Sequence, residues 1–276
     1  MNTFMRILVT GGAGFIGSNL VRELQKLYPD AEIVAVDNFT SGCFQNLVDF
    51  RGEFVTGDIS QREFWDYMGK NYRFDVVFHQ GAITDTTVTD QELMTRVNTQ
   101  SFKYLLDTAL NLWGAKVIYA SSAAVYGNCP APMREDGCLK PENVYGFSKL
   151  MMDRLAQKYL RLFPEAHIVG LRYFNVYGPG EGCKGKFASM VYQLAVKMMR
   201  GQKPRLFKWG EQKRDFVYVK DVVKANLLAM EKDVRGIFNV GSGRARTFNE
   251  LVAIINEVLG TSYEVEYFDN PYSFYQ

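Results

Sequence analysis

Histidine and cysteine are scarce in this sequence. The two histidines, His79 and His167, and the four cysteines, Cys43, Cys129, Cys138 and Cys183, fall at spacings that fit neither a zinc site nor a redox Cys-x-x-Cys pair, so no metal is expected. An excess of charge of either sign is also missing. Thirty-two Lys and Arg face 30 Asp and Glu, leaving a net charge of +2 and no like-charge run of the kind that binds nucleic acid. No apolar run reaches the length needed to span a bilayer, and no apolar leader precedes the first strand-like segment, which argues against a membrane partner. The expected compartment is the cytoplasm, where the cysteines would be reduced thiols. What is present is the composition of an ordinary globular protein, 47% hydrophobic and 22% charged over 276 residues, enough to bury a core without disulfides or metals.

Short β-branched runs alternate with longer amphipathic stretches through the first half of the chain. Strands are expected at 6–10, 33–37, 54–56, 76–79, 116–120 and 168–172, and helices at 18–27, 61–70, 91–112 and 146–162. Right-handed crossovers between such elements build an α/β, Rossmann-like, doubly wound parallel sheet. After about Gly178 the texture changes to a Gly- and Lys-containing loop, a helix over 188–199, a strand near Leu206 and short mixed elements. The expected organisation is a dinucleotide-binding domain over 1–178 and a smaller mixed α/β substrate-binding lobe over 179–276, interleaved at a soft boundary.

The segment Thr10-Gly11-Gly12-Ala13-Gly14-Phe15-Ile16-Gly17 ends a strand and opens a helix. Residues without side chains let the turn tighten and the backbone approach a pyrophosphate, whose charge then meets the helix N-terminus. Asp37 ends the second strand twenty residues after Gly17, the spacing of a carboxylate that takes the adenosine ribose hydroxyls. Asp58 and Ile59 follow the third strand, where they could flank the adenine or form a turn and helix cap.

Tyr145 and Lys149 stand four residues apart, one helical turn, on a common face. A cation beside a phenol lowers its pKa from about 10, which lets it take a proton from a sugar hydroxyl as hydride leaves. Ser122, just after the apolar run 117–120, could hydrogen-bond the same reacting oxygen.

Together with residues 119–127 (YASSAAVYG), 172–179 (RYFNVYGP) and 214–219 (RDFVYV), these motifs resemble the extended short-chain dehydrogenase/reductase family across essentially the whole chain. The resemblance implies a Ser122, Tyr145, Lys149 catalytic set. It implies a dinucleotide site drawn from Gly11, Gly14, Phe15, Ile16, Gly17, Asp37, Asn38, Asp58, Ile59, Gln80, Gly81, Ala82, Asn98, Tyr145, Lys149 and Val176. It also implies substrate contacts from Ser122, Asn175, Lys184, Lys186, Phe207, Arg214 and Tyr272. For Arg214 a surface pair with Asp215 or Glu211 stays open, as does apolar filling for Tyr272. Dehydratases of the family carry Asp-Glu directly after the catalytic hydroxyl residue. Here Ala123-Ala124 stand there, leaving epimerisation, reduction or decarboxylation.

Finer features, chiefly 143–149, 178–185 and 213–219, resemble the branch that epimerises ADP-linked heptoses. In that branch the loop lysine, here Lys184, is a second acid/base; a flexible surface lysine is the alternative. The implied partner is a nucleotide sugar such as ADP-heptose, and the implied assembly a homo-oligomer. A 4-epimerase of UDP-hexoses or a keto-sugar reductase is the competing reading, and a non-catalytic dinucleotide binder a more distant one. The branch implies NADP, whereas Asp37 without a nearby lysine favours NAD. Gly180 replaces an arginine usual in the family, and the resemblance implies further elements beyond Gln276.

Overall fold

The structure, a computed structural model, describes residues 4–270. Its first sheet has seven parallel strands. The chain runs β1 (Arg6–Thr10), α1 (Phe15–Leu27), β2 (Glu32–Asp37), β3 (Glu53–Thr56), α2 (Arg62–Asn71) and β4 (Val76–His79). Next come α3 (Gln91–Met94), α4 (Ser101–Thr108), β5 (Lys116–Ser122), α5 (Val144–Leu162) and β6 (Ile168–Tyr173). The stretch 91–113 is continuously helical, but Thr95–Gln100 and Ala109–Trp113 are wound in π turns.

Both faces of this sheet are covered, so its inner strands are apolar at successive positions rather than alternating. On one face Ile7, Val9 and Ala35 pack with Leu20, Val21 and Leu24 of α1. On the other, Leu8, Val34 and Val77 pack with Trp65 and Met68 of α2, Phe102 and Leu105 of α4, and Met152 and Ala156 of α5. Strand order is β3-β2-β1-β4-β5-β6 and then one further strand, which places the topological switch point between β1 and β4. In open α/β sheets ligands bind in the crevice at that point, beyond the carboxyl ends of the strands.

The further strand comes from the C-terminal part of the chain. After β6 the chain crosses to β7 (Asn175–Tyr177), then forms α6 (Met190–Met199), β8 (Arg205–Phe207), β9 (Lys213–Tyr218) and α7 (Val219–Glu231). Strand β10 (Gly236–Val240) then returns to pair with β6, and Val222, Val223 and Leu227 of α7 join the apolar face under α1. The sequence texture alone does not reveal this return, because pairing β10 with β6 joins segments more than sixty residues apart, which no local pattern encodes. The chain closes with β11 (Ala245–Thr247), α8 (Phe248–Leu259) and β12 (Glu266–Phe268). The second lobe holds a three-stranded sheet, β11-β9-β7, a two-stranded one, β12-β8, and its own core of Leu194, Met198, Leu206, Phe248, Leu251, Val252 and Ile255.

Candidate active site

At the switch point the turns after β1 and β4 touch. Gly11 has φ +67, and a Cβ there would lie 2.7 Å from the Gly81 backbone nitrogen; one on Gly17 would lie 2.0 Å from the Gly11 carbonyl oxygen. Only glycine permits that packing. Helix α1 begins at Phe15 with no side-chain cap and no acidic residue in its first turn, so its leading N–H groups and positive dipole end are open to an anion. Asp37, 9% exposed, closes the crevice beside this turn. Its Oδ2 accepts from the Ala13 N–H at 3.0 Å and its Oδ1 from the Phe39 N–H at 2.8 Å. Burial pushes its carboxyl up, and backbone hydrogen bonds from Phe39, Ala13, Asn38 and Gly14 pull it back in part. An uncapped helix end, glycines with no room for a side chain and a buried carboxylate twenty residues on are the features a dinucleotide needs, and they fit one.

The other predicted contacts divide by what their side chains already do. Phe15 is buried, Ile16 packs on the core, and Ala82 and Val176 are half-buried near the crevice. The Gln80 side chain turns inward, donating to Asn226 and accepting from the Tyr173 hydroxyl, so only its backbone faces the turn. Asn98 is fully buried, and its amide braces the loop after β4 to α5 through both backbone groups of Ile83 and the Ser148 hydroxyl. Asn38 accepts from Thr40. Asp58 behaves as a turn former. Burial raises its carboxyl, but bonds from Ser60 and Gln61, with Arg96 nearby, outweigh that and leave it below its usual value. Ile59 packs against Gly81, and its carbonyl accepts from Trp65.

Ser122, Tyr145 and Lys149 come together across β5 and α5. The Asn143 side chain caps α5 by accepting from the Gly146 N–H at 2.7 Å, placing Tyr145 in the first turn. Gly146 lies so close to the Ala124 carbonyl that a Cβ would stand 2.6 Å from it, which draws the helix start against the end of β5. The Ser122 hydroxyl accepts from the Ala124 N–H at 3.1 Å, and it lowers the Tyr145 phenol against the effect of burial. Lys149 is 2% exposed, donates to the Ala120 carbonyl at 2.8 Å, and has its ammonium 5.9 Å from the centre of the Tyr145 ring.

The electrostatics correct one expectation. Burial pushes the Tyr145 phenol above its ordinary value, Ser122 opposes that, and Lys149 does not pull it down. The ammonium is itself weakened by burial, to about 8, with Asp153 opposing. Asp153 stands one turn beyond Lys149 in a buried network, accepting from Arg172 Nε at 2.9 Å and from the Tyr119 hydroxyl at 2.9 Å. Protein alone therefore holds Tyr145 as a neutral phenol. An added positive charge beside it is what would favour the phenolate.

On the lobe side, Asn175 donates to the Asp215 carbonyl at 3.3 Å. The Asp215 carboxylate accepts from Ser242 and Gly243, and Arg214 Nη1 donates to the Lys213 carbonyl at 2.7 Å. Arg214 faces Arg246 directly across the β9–β11 pair, and directly opposed residues share a face. Lys186 lies over the Phe187 ring, and Phe207 packs edge-on against Phe268. Tyr272 lies outside the described residues.

Lys184 sits with its ammonium 5.6 Å from the centre of the Phe15 ring, at the start of α1. Its loop is held there by Asn19, which donates to the Pro179 carbonyl at 2.8 Å, and by Asn46, which donates to Ala13 and Gly180. A Cys43–Cys183 disulfide joins the same two loops, and a second bridge links Cys129 to Cys138. This overturns the expectation of four reduced thiols, because Cys43 and Cys183 are 140 residues apart in sequence and only the folded loops bring them together. Besides these cysteines, sequence reasoning missed Asn19, Asn46, Glu181, Asp153 and Arg246. Only Asp153 carried a readable signal, its i+4 spacing from Lys149.

The NAD dependent epimerase/dehydratase family matches residues 7–241. The chain belongs to that family. Among solved structures it is similar to ADP-L-glycero-D-manno-heptose-6-epimerase of Helicobacter pylori, at 46% identity and TM-score 0.91 over 98% of this chain and 88% of that one. It is also similar to UDP-glucose 4-epimerase of Thermotoga maritima, at 33% identity and TM-score 0.90 over 98% and 88%. UDP-glucose 4-epimerase of Thermus thermophilus, solved in complex with NAD, matches at 31% identity and TM-score 0.82 over 95% and 86%. Membership makes the protein an NAD(P)-dependent nucleotide-sugar enzyme built on the extended short-chain dehydrogenase/reductase fold. Among the described residues no helix is long and apolar enough to cross a membrane.

Proposed function

We propose that the protein is an epimerase that inverts C6 of ADP-glycero-manno-heptose through a transient ketone on the sugar. The observation that carries this reading is the 46% identity, over 98% of the chain, with the Helicobacter pylori heptose epimerase. Ala123-Ala124 support it, because neither methyl side chain can supply the acid or base that elimination of water requires.

Tyr145, oriented by Ser122, takes the proton from the C6 hydroxyl on its side of the sugar. Lys149, one turn along α5, donates to the Ala120 carbonyl and ties α5 to β5 beneath the phenol. Lys184 serves the opposite face, since inversion through a planar carbonyl needs proton transfer on either side of it. A dinucleotide held by the glycine turn, the start of α1 and Asp37 would accept and return hydride, and its positive charge would favour the Tyr145 phenolate. Arg214 holds the diphosphate, for which a guanidinium fork is suited. Either NADP or NAD would be accommodated by the glycine turn. The anchored Asp37 carboxylate supports NAD, because it would repel a 2′-phosphate. The protein works as a homo-oligomer in this reading.

Incubation with ADP-glycero-manno-heptose, alongside UDP-glucose and UDP-N-acetylglucosamine, and followed by NMR, tests the substrate. Inversion at C6 of the heptose without consumption of added dinucleotide is expected. Selective inversion at C4 of a UDP-hexose would replace the heptose with a 4-epimerase reading, and steady accumulation of reduced dinucleotide would mark an ordinary dehydrogenase.

A further inference from the structure

The loop over 178–189 connects β7 to α6 and carries Lys184, yet no residue of its short helical segment, Gly182–Phe187, is buried. A loop with so little apolar anchorage is free to move unless polar bonds fix it. Two of its side chains are buried, the small Ala188 beside α6 and, unexpectedly for a carboxylate, Glu181. Glu181 is 2% exposed although it is a carboxylate with no cationic partner among its hydrogen bonds. Its Oε1 accepts from the Gly178 N–H at 2.9 Å and from the Ser189 hydroxyl at 3.0 Å, and its Oε2 accepts from the Ser189 N–H at 2.6 Å. Gly178 and Ser189 are the two ends of the loop, so a single carboxylate ties them together. The Glu181 carbonyl accepts from the Lys184 N–H at 3.0 Å, which puts the lysine one turn from the knot.

Burying a carboxylate costs several kcal/mol unless hydrogen bonds replace its water. Here three donors do so, and all belong to the loop's own ends. A knot needed only for folding could be apolar. What an anion adds is its field. Partial burial against the start of α1 lowers the Lys184 ammonium from its ordinary value, and the Glu181 charge is the influence that raises it. Other charged side chains around the loop have partners of their own: Lys186 lies over Phe187, Arg22 donates to the Asn46 carbonyl, and Asp37 accepts from Ala13 and Phe39. Cys43 and Cys183, being bonded, do not titrate.

We propose that Glu181 is a positioning residue for Lys184: its buried carboxylate joins the two ends of the loop and so seats the lysine over the start of α1. The proposal deepens the reading of Lys184 as the second acid/base and rests on it.

Three variants, assayed with ADP-glycero-manno-heptose, test both levels: Glu181→Gln, Lys184→Met and the double substitution. Glu181→Gln removes the charge and sets an N–H group against an N–H donor. Displacing an acid/base by about an ångström costs on the order of a hundredfold, so kcat should fall roughly 10- to 100-fold with KM nearly unchanged. The limb of the pH profile that disappears in Lys184→Met should move to lower pH in Glu181→Gln, because the lysine has lost its stabilising anion. In the Lys184→Met background, Glu181→Gln should cost little more.

Full additivity in the double variant, or an unmoved pH limb in Glu181→Gln, overturns the positioning role. If Lys184→Met keeps its kcat, the acid/base reading itself fails, whatever Glu181 does. Ser189→Ala is the milder companion should Glu181→Gln not fold. It deletes one donor to the carboxylate and should lower kcat in the same direction by a few-fold; an unchanged kcat there counts against the knot.

Discussion

The floor and the roof of the crevice are built by different means. On the floor, Ser122 ends a core strand and Tyr145 and Lys149 ride a helix whose Met152 and Ala156 are buried against the sheet. On the roof, Lys184 rides a loop whose helical segment buries nothing and is held by Glu181, Asn19, Asn46 and the Cys43–Cys183 bridge. Apolar packing makes the floor part of the fold, so a substitution that disturbs that packing costs stability as well as chemistry. Polar and covalent ties make the roof separable, so it can be loosened while the sheet stays intact.

The largest effects should fall on proton transfer, and they break the comparison first. Tyr145→Phe leaves the ring packed and deletes only the hydroxyl. Its kcat should drop by roughly two to four decades, the usual worth of a positioned acid/base, with unfolding temperature unchanged. Lys184→Met should lower kcat over the same range with little change in KM. If KM rises instead while kcat survives, the roof only grips phosphate, and the chemistry belongs wholly to the floor.

Next in size is the ion pair beneath the floor. Asp153 and Arg172 are 2% and 1% exposed in their side chains and meet at 2.9 Å. Removing one partner strands a buried charge. Asp153→Ala should therefore cost about 3–5 kcal/mol in chemical denaturation. A loss below about 1 kcal/mol would mean that water or Glu135 relieves Arg172, and that the floor is less tightly integrated than its burial implies.

How far each region could be read beforehand follows from the same difference. Glycine spacing, Asp37, Ser122 and the Tyr145–Lys149 turn are local patterns, so hydrophobic periodicity and fixed offsets disclose them, and with them the doubly wound sheet. The return of β10 beside β6 and the pairing of Cys43 with Cys183 depend on contacts between segments far apart in the chain, which no local pattern encodes. Glu181 reads in sequence as one more polar residue between two glycines, and only the fold shows that both loop ends converge on it. The Tyr145 phenol departs from its sequence expectation for a related reason. The offset of four residues predicts nearness to Lys149 but not the burial that raises the phenol and weakens the ammonium.

Asp37 offers a smaller and more selective effect. Its carboxylate already holds the Ala13 and Phe39 N–H groups, so Asp37→Ala loosens the turn as well as removing a ribose acceptor. Asp37→Asn separates the two, since its amide oxygen can still accept from one N–H while the negative charge is gone. Hydrogen bonds to charged groups are worth about 1.5–3 kcal/mol, so NAD binding measured by calorimetry should weaken roughly 10- to 100-fold in Asp37→Ala. In Asp37→Asn the ratio of NADP to NAD affinity should rise. Equal changes for both dinucleotides in both variants would place the ribose away from Asp37.

The smallest effect on turnover should come from the bridge that distinguishes roof from floor most visibly. Cys183→Ser cuts the covalent tie, but Asn46 still reaches Gly180, Asn19 still reaches Pro179, and Glu181 still closes the loop on Ser189. Those polar ties set where Lys184 lies in the folded protein. A cross-link acts chiefly by restricting the unfolded chain, and one that closes a long loop contributes most there. The unfolding temperature of Cys183→Ser should accordingly fall, while kcat and KM stay within about threefold of the parent, the scale of a change under 1 kcal/mol. Reduction of the parent with dithiothreitol should reproduce both results. If turnover instead collapses with the bridge cut, the hydrogen-bonded ties alone do not hold Lys184 in place, and the roof depends on the redox state of two cysteines.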